Sequence, residues 1–508
     1  MSGAGDVAAP APAPRRERPR RRFAAALAWT VANTAVPGVG FLAAGRRRVG
    51  IAVLLVFALL VGAAVWLATA GRSTAVDIAV DTLRLRWVLG TIVGVALLWA
   101  AAVVLGYRAL LPRPTTRLRH LVGGLLVAAL LAGIAYPAVK VGQIAVAQRD
   151  LIENVFPEDR PSATVDTSAP VDLFGDQDRV NVLLLGGDGG AGREGVRTDT
   201  VIVASIDTHS GATTLISLPR NLENLPFPPG SPLAAVYPNG FQAGSESESL
   251  LNAVYRNGPA AHPGILGPSA DPGADFLKLG VGQALGLHID YFVLVNLDGF
   301  ARIVDALGGI TVNVNYYVPI NGDPGTGELP DDYISPGPNQ HMDGERALQF
   351  ARGRFGLTDY DRMARQRCTI DAIIDSADPL TLLGDYQELA AATSRVVSTD
   401  IPRSALPDFV ELGRRVKGAR VSSLVFDDNV ISPAYPDYDR IRELVQESLA
   451  AGPSPSSAPT TGPAAGTPTT GAPTTSSSPL TDVTDACAYD PFVAGAAIEA
   501  GKPPSKAD

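Results

Sequence analysis

Arginine and aspartate side chains recur together at three places in the C-terminal half of the sequence. The groups are Asp188 with Arg197 and Asp199, then Arg220, then Arg352, Arg354, Arg362, Arg365 and Gln366. Arginines bind phosphate groups through paired hydrogen bonds, and carboxylates bind Mg²⁺ together with ligand phosphates. These residues therefore predict a site for a phosphate-rich ligand and a divalent metal.

Spacing suggests how the side chains converge. Asp188 ends one apolar run and Asp199 precedes the next, so two neighbouring strands would bring both carboxylates to one sheet edge. Arg352 and Arg354 would point the same way on an extended segment, but would lie about 200° apart on a helix. A structural interpretation stays open for the acids, as turn or cap residues.

A second set of arginines is expected on a helix. Arg362, Arg365 and Gln366 share one face by their i, i+3, i+4 spacing. Arg220 follows directly after the third predicted strand, where a lone arginine is usually a surface charge. The alternative for the helix is a solvated basic face, and the sequence leaves that alternative open.

Short β-branched or leucine-rich runs predict strands in the second half of the chain. They are Val180–Gly186, Val201–Ile206, Thr213–Leu218, Phe292–Leu297 and Ile310–Val314. Amphipathic stretches predict helices at Glu246–Tyr255, Asp275–Leu285, Leu297–Leu307, Gly344–Ala351, Asp361–Ser376 and Tyr438–Ala450. Strands interleaved with helices predict an α/β fold over residues 180–450, with a sheet covered on both faces.

The N-terminal third has the pattern of a membrane region, residues 23–147. A polar, arginine-rich tail, 1–22, precedes apolar stretches of about 20 residues each, the length that crosses a bilayer. They are Phe23–Ala44, Val49–Ala70, Trp87–Leu111 and Leu121–Ala147.

Arginines decide how many of these stretches cross. The tail, Arg46–Arg48 and Arg113–Arg119 are expected in the cytoplasm. That requires the first stretch, which Pro37 and its neighbouring glycines interrupt, to be re-entrant while the other three cross. Everything after about Gln148 then lies outside the cell. With four crossings the large domain would be cytoplasmic instead.

Composition defines the remaining segments. Residues 148–178 are expected to connect the membrane to the domain. Residues 452–479 contain only Pro, Thr, Ser, Gly and Ala, which predicts a disordered linker before a C-terminal tail, 480–508.

The net charge is −9 and the part beyond the membrane region is acidic, which argues against a nucleic-acid partner. Cys368 and Cys487 would pair or remain thiols, and both alternatives stay open.

The order of the motifs makes this sequence resemble a known family. The runs NVLLLGGDGG, GVRTDTVIVASID, TTLISLPRN, NAVYRNG, IDYFVLVNLDGFARIVDALGGITVNV, MDGERALQFARGR and DYDRMARQ follow the order found in LytR-CpsA-Psr (LCP) cell-envelope proteins. The resemblance covers residues 180–380, extends to about 450, and is greatest to actinobacterial members. It implies an α-β-α sandwich with a mixed central sheet.

The resemblance also implies a phosphotransferase on the outer face of the cell membrane. Such enzymes move a glycopolymer (wall teichoic acid, capsule or arabinogalactan) from a polyprenyl-pyrophosphate carrier onto peptidoglycan through a phosphodiester. It implies Mg²⁺, or Mn²⁺, at Asp188 and Asp199. Its implied pyrophosphate-binding, catalytic arginines are Arg197, Arg220, Arg352, Arg354 and Arg362, and Gln366 matches its pocket glutamine. The helix spacing adds Arg365 as a further substrate-binding residue beside Gln366.

Two positions depart from the family pattern. Asn221 stands where the family usually has an aspartate, and Leu250 where it often has a lysine. These departures favour an alternative, a non-enzymatic binder or sensor of lipid-linked glycans. A membrane-anchored transcriptional attenuator is the remaining alternative, and only the arginine-rich tail would serve it.

Overall fold

The computed structural model describes residues 23–71, 74, 78, 82–112, 116–156, 161–165, 174–175, 177–188, 196–377, 397–428, 430–450 and 480–507. The predicted tail, 1–22, and linker, 452–479, lie outside these ranges, as does part of the predicted connector. Contacts between residues divide the chain into two units, which separate near residue 146.

Apolar helices make up the first unit. They are α1 (Phe23–Ala35), α2 (Val39–Ala43), α3 (Arg47–Ala68), α4 (Thr82–Leu110) and α5 (Arg117–Val155). Of these, α3, α4 and α5 are long and apolar enough to cross a membrane. By contrast α1 is about 20 Å long at 1.5 Å per residue, shorter than the ~30 Å hydrocarbon core. The re-entrant first stretch and the side on which each helix ends stay predictions.

A buried asparagine interrupts the first apolar stretch. Asn33 accepts hydrogen bonds at Oδ1 from the backbone N–H groups of Gly38 and Gly40, both at 2.9 Å. Its Nδ2 atom donates to the carbonyl of Ala102 at 3.0 Å. Because Gly38 has a φ of 113°, which other residues rarely adopt, the chain turns here between α1 and α2.

Strands of the second unit form one large sheet and two small ones. Within the described residues they are β1 (Arg179–Gly187), β2 (Thr198–Asp207), β3 (Thr213–Ser217), β4 (Tyr291–Asn296), β5 (Ile310–Val314), β6 (Val318–Ile320), β7 (Asp332–Ile334), β8 (Gly337–Met342), β9 (Val397–Thr399), β10 (Val421–Val425) and β11 (Leu480–Asp482). The large sheet has the order β11-β10-β3-β2-β1-β4-β9, while β5 pairs with β8 and β6 with β7. The large sheet is mixed, because β1–β4 and β3–β10 are parallel and its other pairs are antiparallel.

Helices cover both faces of the large sheet. After α5 the described helices are α6 (Pro232–Val236), α7 (Glu246–Ser249), α8 (Leu251–Ala261), α9 (Pro272–Leu285), α10 (Leu297–Ala306), α11 (Gly344–Arg352), α12 (Asp359–Ser376), α13 (Leu406–Lys417), α14 (Tyr438–Ala450), α15 (Val483–Ala486) and α16 (Pro491–Ala500). Leu183 and Leu185 of β1 pack in a core with α8, α9 and α14. Val182 and Leu184 pack on the opposite face with α13 and α12. This alternation is the two-residue period of a strand, and the predicted α-β-α sandwich is confirmed.

Three features differ from the sequence prediction or add to it. β5 lies in a small sheet rather than the large one. The predicted helix Glu246–Tyr255 is two helices, because Leu250 has an extended backbone (φ −72°, ψ 156°). The C-terminal tail joins the fold: β11 pairs with β10, Val483 is fully buried, and Cys487 forms a disulfide with Cys368 on α12. Of the two alternatives for the cysteines, the structure has the paired one.

Candidate active site

A cavity of about 650 Å³ is walled by β1 and β4 of the large sheet, by α10, α11 and α12, and by the loop 321–324 after β6. Its lining includes seven of the residues predicted from sequence: Asp188, Asp199, Arg220, Arg352, Arg354, Arg362 and Gln366. Arg197 and Arg365 do not line it. The fold therefore brings together side chains that are up to 178 positions apart, counted from 188 to 366.

The cavity is polar at one end and apolar at the other. On α12, Arg362 and Gln366 come first, and Ile370 and Ile374 follow along the same wall. At 1.5 Å per residue, Ile374 lies roughly 18 Å along the helix from Arg362. Further apolar lining comes from Leu184, Val293, Val295, Phe300, Ile303 and Ile373. This shape suits a ligand with an anionic head and an apolar chain.

The two aspartates meet where β1 and β2 pair. The strands are antiparallel, and their last paired residues at this end are Gly187 of β1 and Thr198 of β2. Asp188 directly follows Gly187, and Asp199 directly follows Thr198. The backbone N–H of Asp188 donates to the carbonyl of Arg197 at 3.1 Å, and the N–H of Arg197 donates back to Oδ1 of Asp188 at 2.9 Å. Both carboxylates therefore lie at one sheet edge, the arrangement that the spacing predicts.

Asp199 is held as a carboxylate. Its Oδ1 atom accepts hydrogen bonds from Nη1 of Arg220 at 2.7 Å and from Nδ2 of Asn252 at 3.3 Å. Burial would raise the pKa of Asp199, but the hydrogen bond and charge of Arg220, together with Asn252 and Arg362, outweigh burial and lower it. The lowered pKa suits Asp199 to binding a cation rather than to accepting a proton.

Arg352 and Arg354 reach the same cavity because a helix ends between them. Arg352 is the last residue of α11, and Gly353 leaves the helix with φ −55° and ψ 128°. A Cβ atom on Gly353 would lie 2.5 Å from the carbonyl oxygen of Pro319, so only glycine permits this close approach. The extended segment considered from sequence is therefore the one present. No described residue forms a salt bridge with Arg354.

Arg362 is the most buried of the cavity arginines, with 3% of its surface exposed. Its Nη2 atom donates to Oδ2 of Asp359 at 3.0 Å and to the carbonyl of Asp199 at 3.2 Å, and it lies 2.9 Å from Oδ1 of Asp359. Burial, assisted by the charges of Arg220 and Arg354, lowers the pKa of Arg362 to about 10 against the opposing effect of the two aspartates. It stays charged at neutral pH. Within the described part of the chain its buried Nε–H has no acceptor.

Arg365 occupies a different position from the one predicted. It is 3% exposed and donates from Nε to the carbonyl of Phe350 at 2.7 Å, from Nη2 to that of Gly353, and from Nη1 to the hydroxyl of Tyr316 at 2.9 Å. Positions i+3 and i+4 of a helix differ by about 100°, so Gln366 faces the cavity while Arg365 turns away. Arg365 thus holds the backbone of Phe350 and Gly353, on either side of Arg352.

Arg197 is also used differently. Its guanidinium forms an ion pair with Glu248 of α7, which also pairs with Arg256. Asn257 donates to the same carboxylate at 2.7 Å. The main chain of Arg197, rather than its side chain, contacts the metal-binding candidate Asp188.

Sequence reasoning missed Glu248, Asn252, Arg256 and Asp359 as site residues. Asn252 and Arg256 lie one turn apart on α8 within the NAVYRNG motif, and that spacing is the signal that could have found them. Asp359 precedes Arg362 by three residues, also one turn. Glu248 belongs to a separate short helix, and no local pattern marks it.

The aspartate pair fits a metal that is shared with a ligand. Among the residues with described positions, no group of three or more His, Cys, Asp or Glu side chains could hold a metal ion. Mg²⁺ commonly takes one or two carboxylates, with waters and phosphate oxygens as its other ligands. Arg220 and Asn252 both donate to Oδ1 of Asp199, and no described donor contacts its Oδ2. The donor set therefore suits Mg²⁺ or Mn²⁺ bound together with a pyrophosphate.

The two departures from the family pattern lie beside the cavity lining rather than in it. Leu250 is the residue before α8 and is half-buried, and Asn221 is exposed. Neither side chain lines the cavity. Neither position is one of the seven predicted residues that line the cavity.

Comparison with known proteins identifies the family. Residues 147–439 match the LytR_cpsA_psr family. The chain belongs to the LytR_cpsA_psr family. The resemblance found in the motif order is thereby confirmed. Among members, Biofilm regulatory protein A of Streptococcus mutans is 25% identical over 268 residues, 51% of this chain and 59% of that protein. A polyisoprenyl-teichoic acid–peptidoglycan teichoic acid transferase TagU of Enterococcus faecalis is 30% identical over 228 residues, 44% of this chain and 61% of that one.

This LytR_cpsA_psr chain thus spans about three-fifths of the length of these two relatives, by the 59% and 61% covered. Among solved structures, TagV of B. subtilis is 23% identical with a TM-score of 0.38, covering 54% of this chain and 99% of TagV. A LytR-Csp2A-Psr enzyme from Actinomyces oris is 20% identical with a TM-score of 0.36, covering 53% and 89%.

Proposed function

We propose that this protein transfers a glycopolymer from a polyprenyl-pyrophosphate carrier onto peptidoglycan through a phosphodiester. One observation carries the proposal: arginines and aspartates meet at the polar end of a cavity whose other end is apolar. Relatives named as teichoic acid transferases support the same class of reaction.

The arginines are suited to the pyrophosphate. Arg220, Arg352, Arg354 and Arg362 present guanidinium groups to one end of the cavity, and such groups bind phosphate oxygens through paired N–H donors. Arg362 is nearly fully buried, so its contact with a phosphate would be stronger than the same contact in water. The unpartnered Nε–H of Arg362 is a donor that a bound ligand would complement.

The apolar end is suited to the start of the polyprenyl chain. The whole cavity, polar and apolar ends together, has a volume of about 650 Å³, within the range of roughly 300–1,000 Å³ that holds small ligands. Branched aliphatic side chains such as Ile370, Ile373 and Ile374 offer no hydrogen bonds, so they favour a hydrocarbon over water.

Asp188 and Asp199 would hold Mg²⁺ or Mn²⁺, which when bound supplies positive charge to the phosphate oxygens. In the reaction a peptidoglycan hydroxyl attacks the phosphorus next to the glycan, and the bond to the bridging oxygen breaks. Negative charge then builds on the departing polyprenyl phosphate. Arg362 and Arg220 are positioned to stabilise that charge, and Asp199 is too acidic to be the preferred proton acceptor.

We place the reaction on the outer face of the cell membrane. Three helices among the described residues have spanning length, and the arginines that flank them favour a cytoplasmic N-terminus. Three crossings then carry the catalytic unit to the outside, where lipid-linked glycans meet peptidoglycan.

The proposal is tested on the full chain in detergent micelles, with geranyl pyrophosphate as substrate and Mg²⁺ present. Release of phosphate is expected, and Arg354→Ala should lower the rate by about 10²–10³, the effect of losing one donor that acts in the transition state. Arg414→Ala is the matched control, because Arg414 lies on α13 and pairs with Glu411. Equal rates in all three proteins would refute the proposal.

A further inference from the structure

A closed ring of ion pairs and hydrogen bonds joins two cavity arginines to two aspartates. Arg220 donates to Asp199 at 2.7 Å, and its Nε atom lies 3.5 Å from Asp359. Arg362 donates to Oδ2 of Asp359 and to the main-chain carbonyl of Asp199, and its Nη2 atom lies 2.9 Å from Oδ1 of Asp359. Each arginine is therefore held between the same two residues.

Within this ring Asp359 differs from Asp199 in where it lies. Asp199 lines the cavity. Asp359 does not line it, although the Asp359 side chain is 29% exposed. It is the first residue of α12, and its partners are the two guanidinium groups. Asp359 thus contacts Arg220 and Arg362, the arginines that would bind the ligand, rather than the cavity itself.

The two arginines need such a carboxylate. Arg220 and Arg354 both disfavour the charge on Arg362, which is nearly fully buried, and Asp359 is the strongest group that opposes them. A buried charge that loses its partner is strongly destabilised and moves or recruits another one. Asp359 therefore fixes the direction of both guanidinium groups before the ligand arrives.

We propose that Asp359 is a positioning residue that orients Arg220 and Arg362 for the departing polyprenyl phosphate. The assignment rests on the proposed function. Asp359 also repels an incoming anion and competes for the same N–H groups. Its removal should therefore impair turnover, which depends on arginine geometry, without weakening ground-state anion binding.

The neighbouring Asp361 supplies a matched control in the same helical turn. Its carboxylate accepts hydrogen bonds from the N–H and hydroxyl of Thr358, at 2.8 and 2.7 Å, and closes the capping box of α12. Among the described residues, no cavity arginine forms a hydrogen bond with the Asp361 carboxylate. Asp361→Asn should lower the thermal midpoint while leaving the binding and rate constants unchanged.

The experiment compares wild type, Asp359→Asn, Asp359→Glu and Asp361→Asn as full chains in detergent. The dissociation constant of inorganic pyrophosphate comes from calorimetry, and kcat and KM come from geranyl pyrophosphate turnover. For Asp359→Asn we expect kcat to fall between about tenfold and a hundredfold, with pyrophosphate affinity unchanged within about twofold or tighter. Asp359→Glu should recover part of kcat because the charge is kept.

A double-mutant cycle with Arg362→Lys separates positioning from a structural role. If Asp359 acts through Arg362, the double variant is no slower than Arg362→Lys alone. Equal losses of pyrophosphate affinity and kcat in Asp359→Asn would overturn the assignment. Additive losses in the double-mutant cycle, or a wild-type kcat in Asp359→Asn, would overturn it as well. If Asp359→Asn does not fold, Asp359→Glu carries the test: reduced kcat with unchanged KM supports the assignment, and wild-type kcat overturns it. A wild type that neither binds pyrophosphate nor turns over would instead overturn the proposed function and this assignment with it.

Discussion

Replacing Arg365 distinguishes a structural arginine from a ligand-binding one. The sequence predicts a substrate contact, whereas the structure gives Arg365 three hydrogen bonds, to the carbonyls of Phe350 and Gly353 and the hydroxyl of Tyr316. Arg365→Met keeps the aliphatic volume and removes every donor. It leaves two buried carbonyls without their charged partner.

The cost follows from those contacts. Hydrogen bonds to a charged group contribute about 1.5–3 kcal/mol each, and the charge no longer has to be desolvated in the variant, so a net loss of roughly 3–5 kcal/mol is expected. At about 2 °C per kcal/mol for a unit of this size, the thermal midpoint should fall by roughly 6–10 °C.

The assay is heat unfolding of the full chain in detergent at one scan rate, with Arg354→Met as the comparison. Arg354 lines the cavity and has no described salt bridge, so its variant should lose turnover while its midpoint changes by less than about 1 °C. The reasoning is refuted if Arg365→Met keeps the wild-type midpoint but loses affinity for pyrophosphate.

Three further outcomes are expected. Reduction of the Cys368–Cys487 disulfide, which joins residues 119 positions apart, should lower the free energy of unfolding by up to about 5 kcal/mol in chemical denaturation; an unchanged midpoint would contradict this. Burial, with the charges of Asp375 and Asp482, raises the pKa of Asp371 from 3.8 to about 6. The folded state therefore binds this proton more tightly than the unfolded state, and the free energy of unfolding should fall as the pH rises across this interval. Asp371→Asn should therefore flatten the pH dependence of the thermal midpoint between those values, and a slope equal to wild type would count against it. A periplasm- or exterior-specific reporter fused after Gln148 should be active, and a cytoplasmic signal would contradict the three-crossing topology.

Local patterns in the sequence were enough to predict the layers of the fold. The strand prediction Val180–Gly186 lies within the observed Arg179–Gly187, and the helix Asp361–Ser376 was placed two residues late because its cap is Thr358. The strand is marked by a leucine- and valine-rich run and the helix by an amphipathic stretch, and both signals depend only on nearby residues. Pairing between distant strands was not available from that signal, which is why β5 was placed in the wrong sheet.

In the candidate site, too, local spacing predicts some residues, and others depend on tertiary structure. Asp188, Asp199 and the Arg352–Arg354 pair could be related by strand and loop spacing alone. Arg365 could not be separated from Gln366, because the two lie about 100° apart on the helix and its packing decides which of them faces the cavity. Arg197 likewise finds its partner 51 positions away, on Glu248, through tertiary structure.

The most direct test of the proposed function follows one phosphorus atom. The full chain is given a polyprenyl-pyrophosphate-linked sugar with a radioactive label only in the sugar-side phosphate, together with peptidoglycan and Mg²⁺. A phosphotransferase should move the label, with the sugar, into peptidoglycan and release unlabelled polyprenyl phosphate. Label that stays with the lipid while the sugar is transferred, or no transfer at all, would contradict the account.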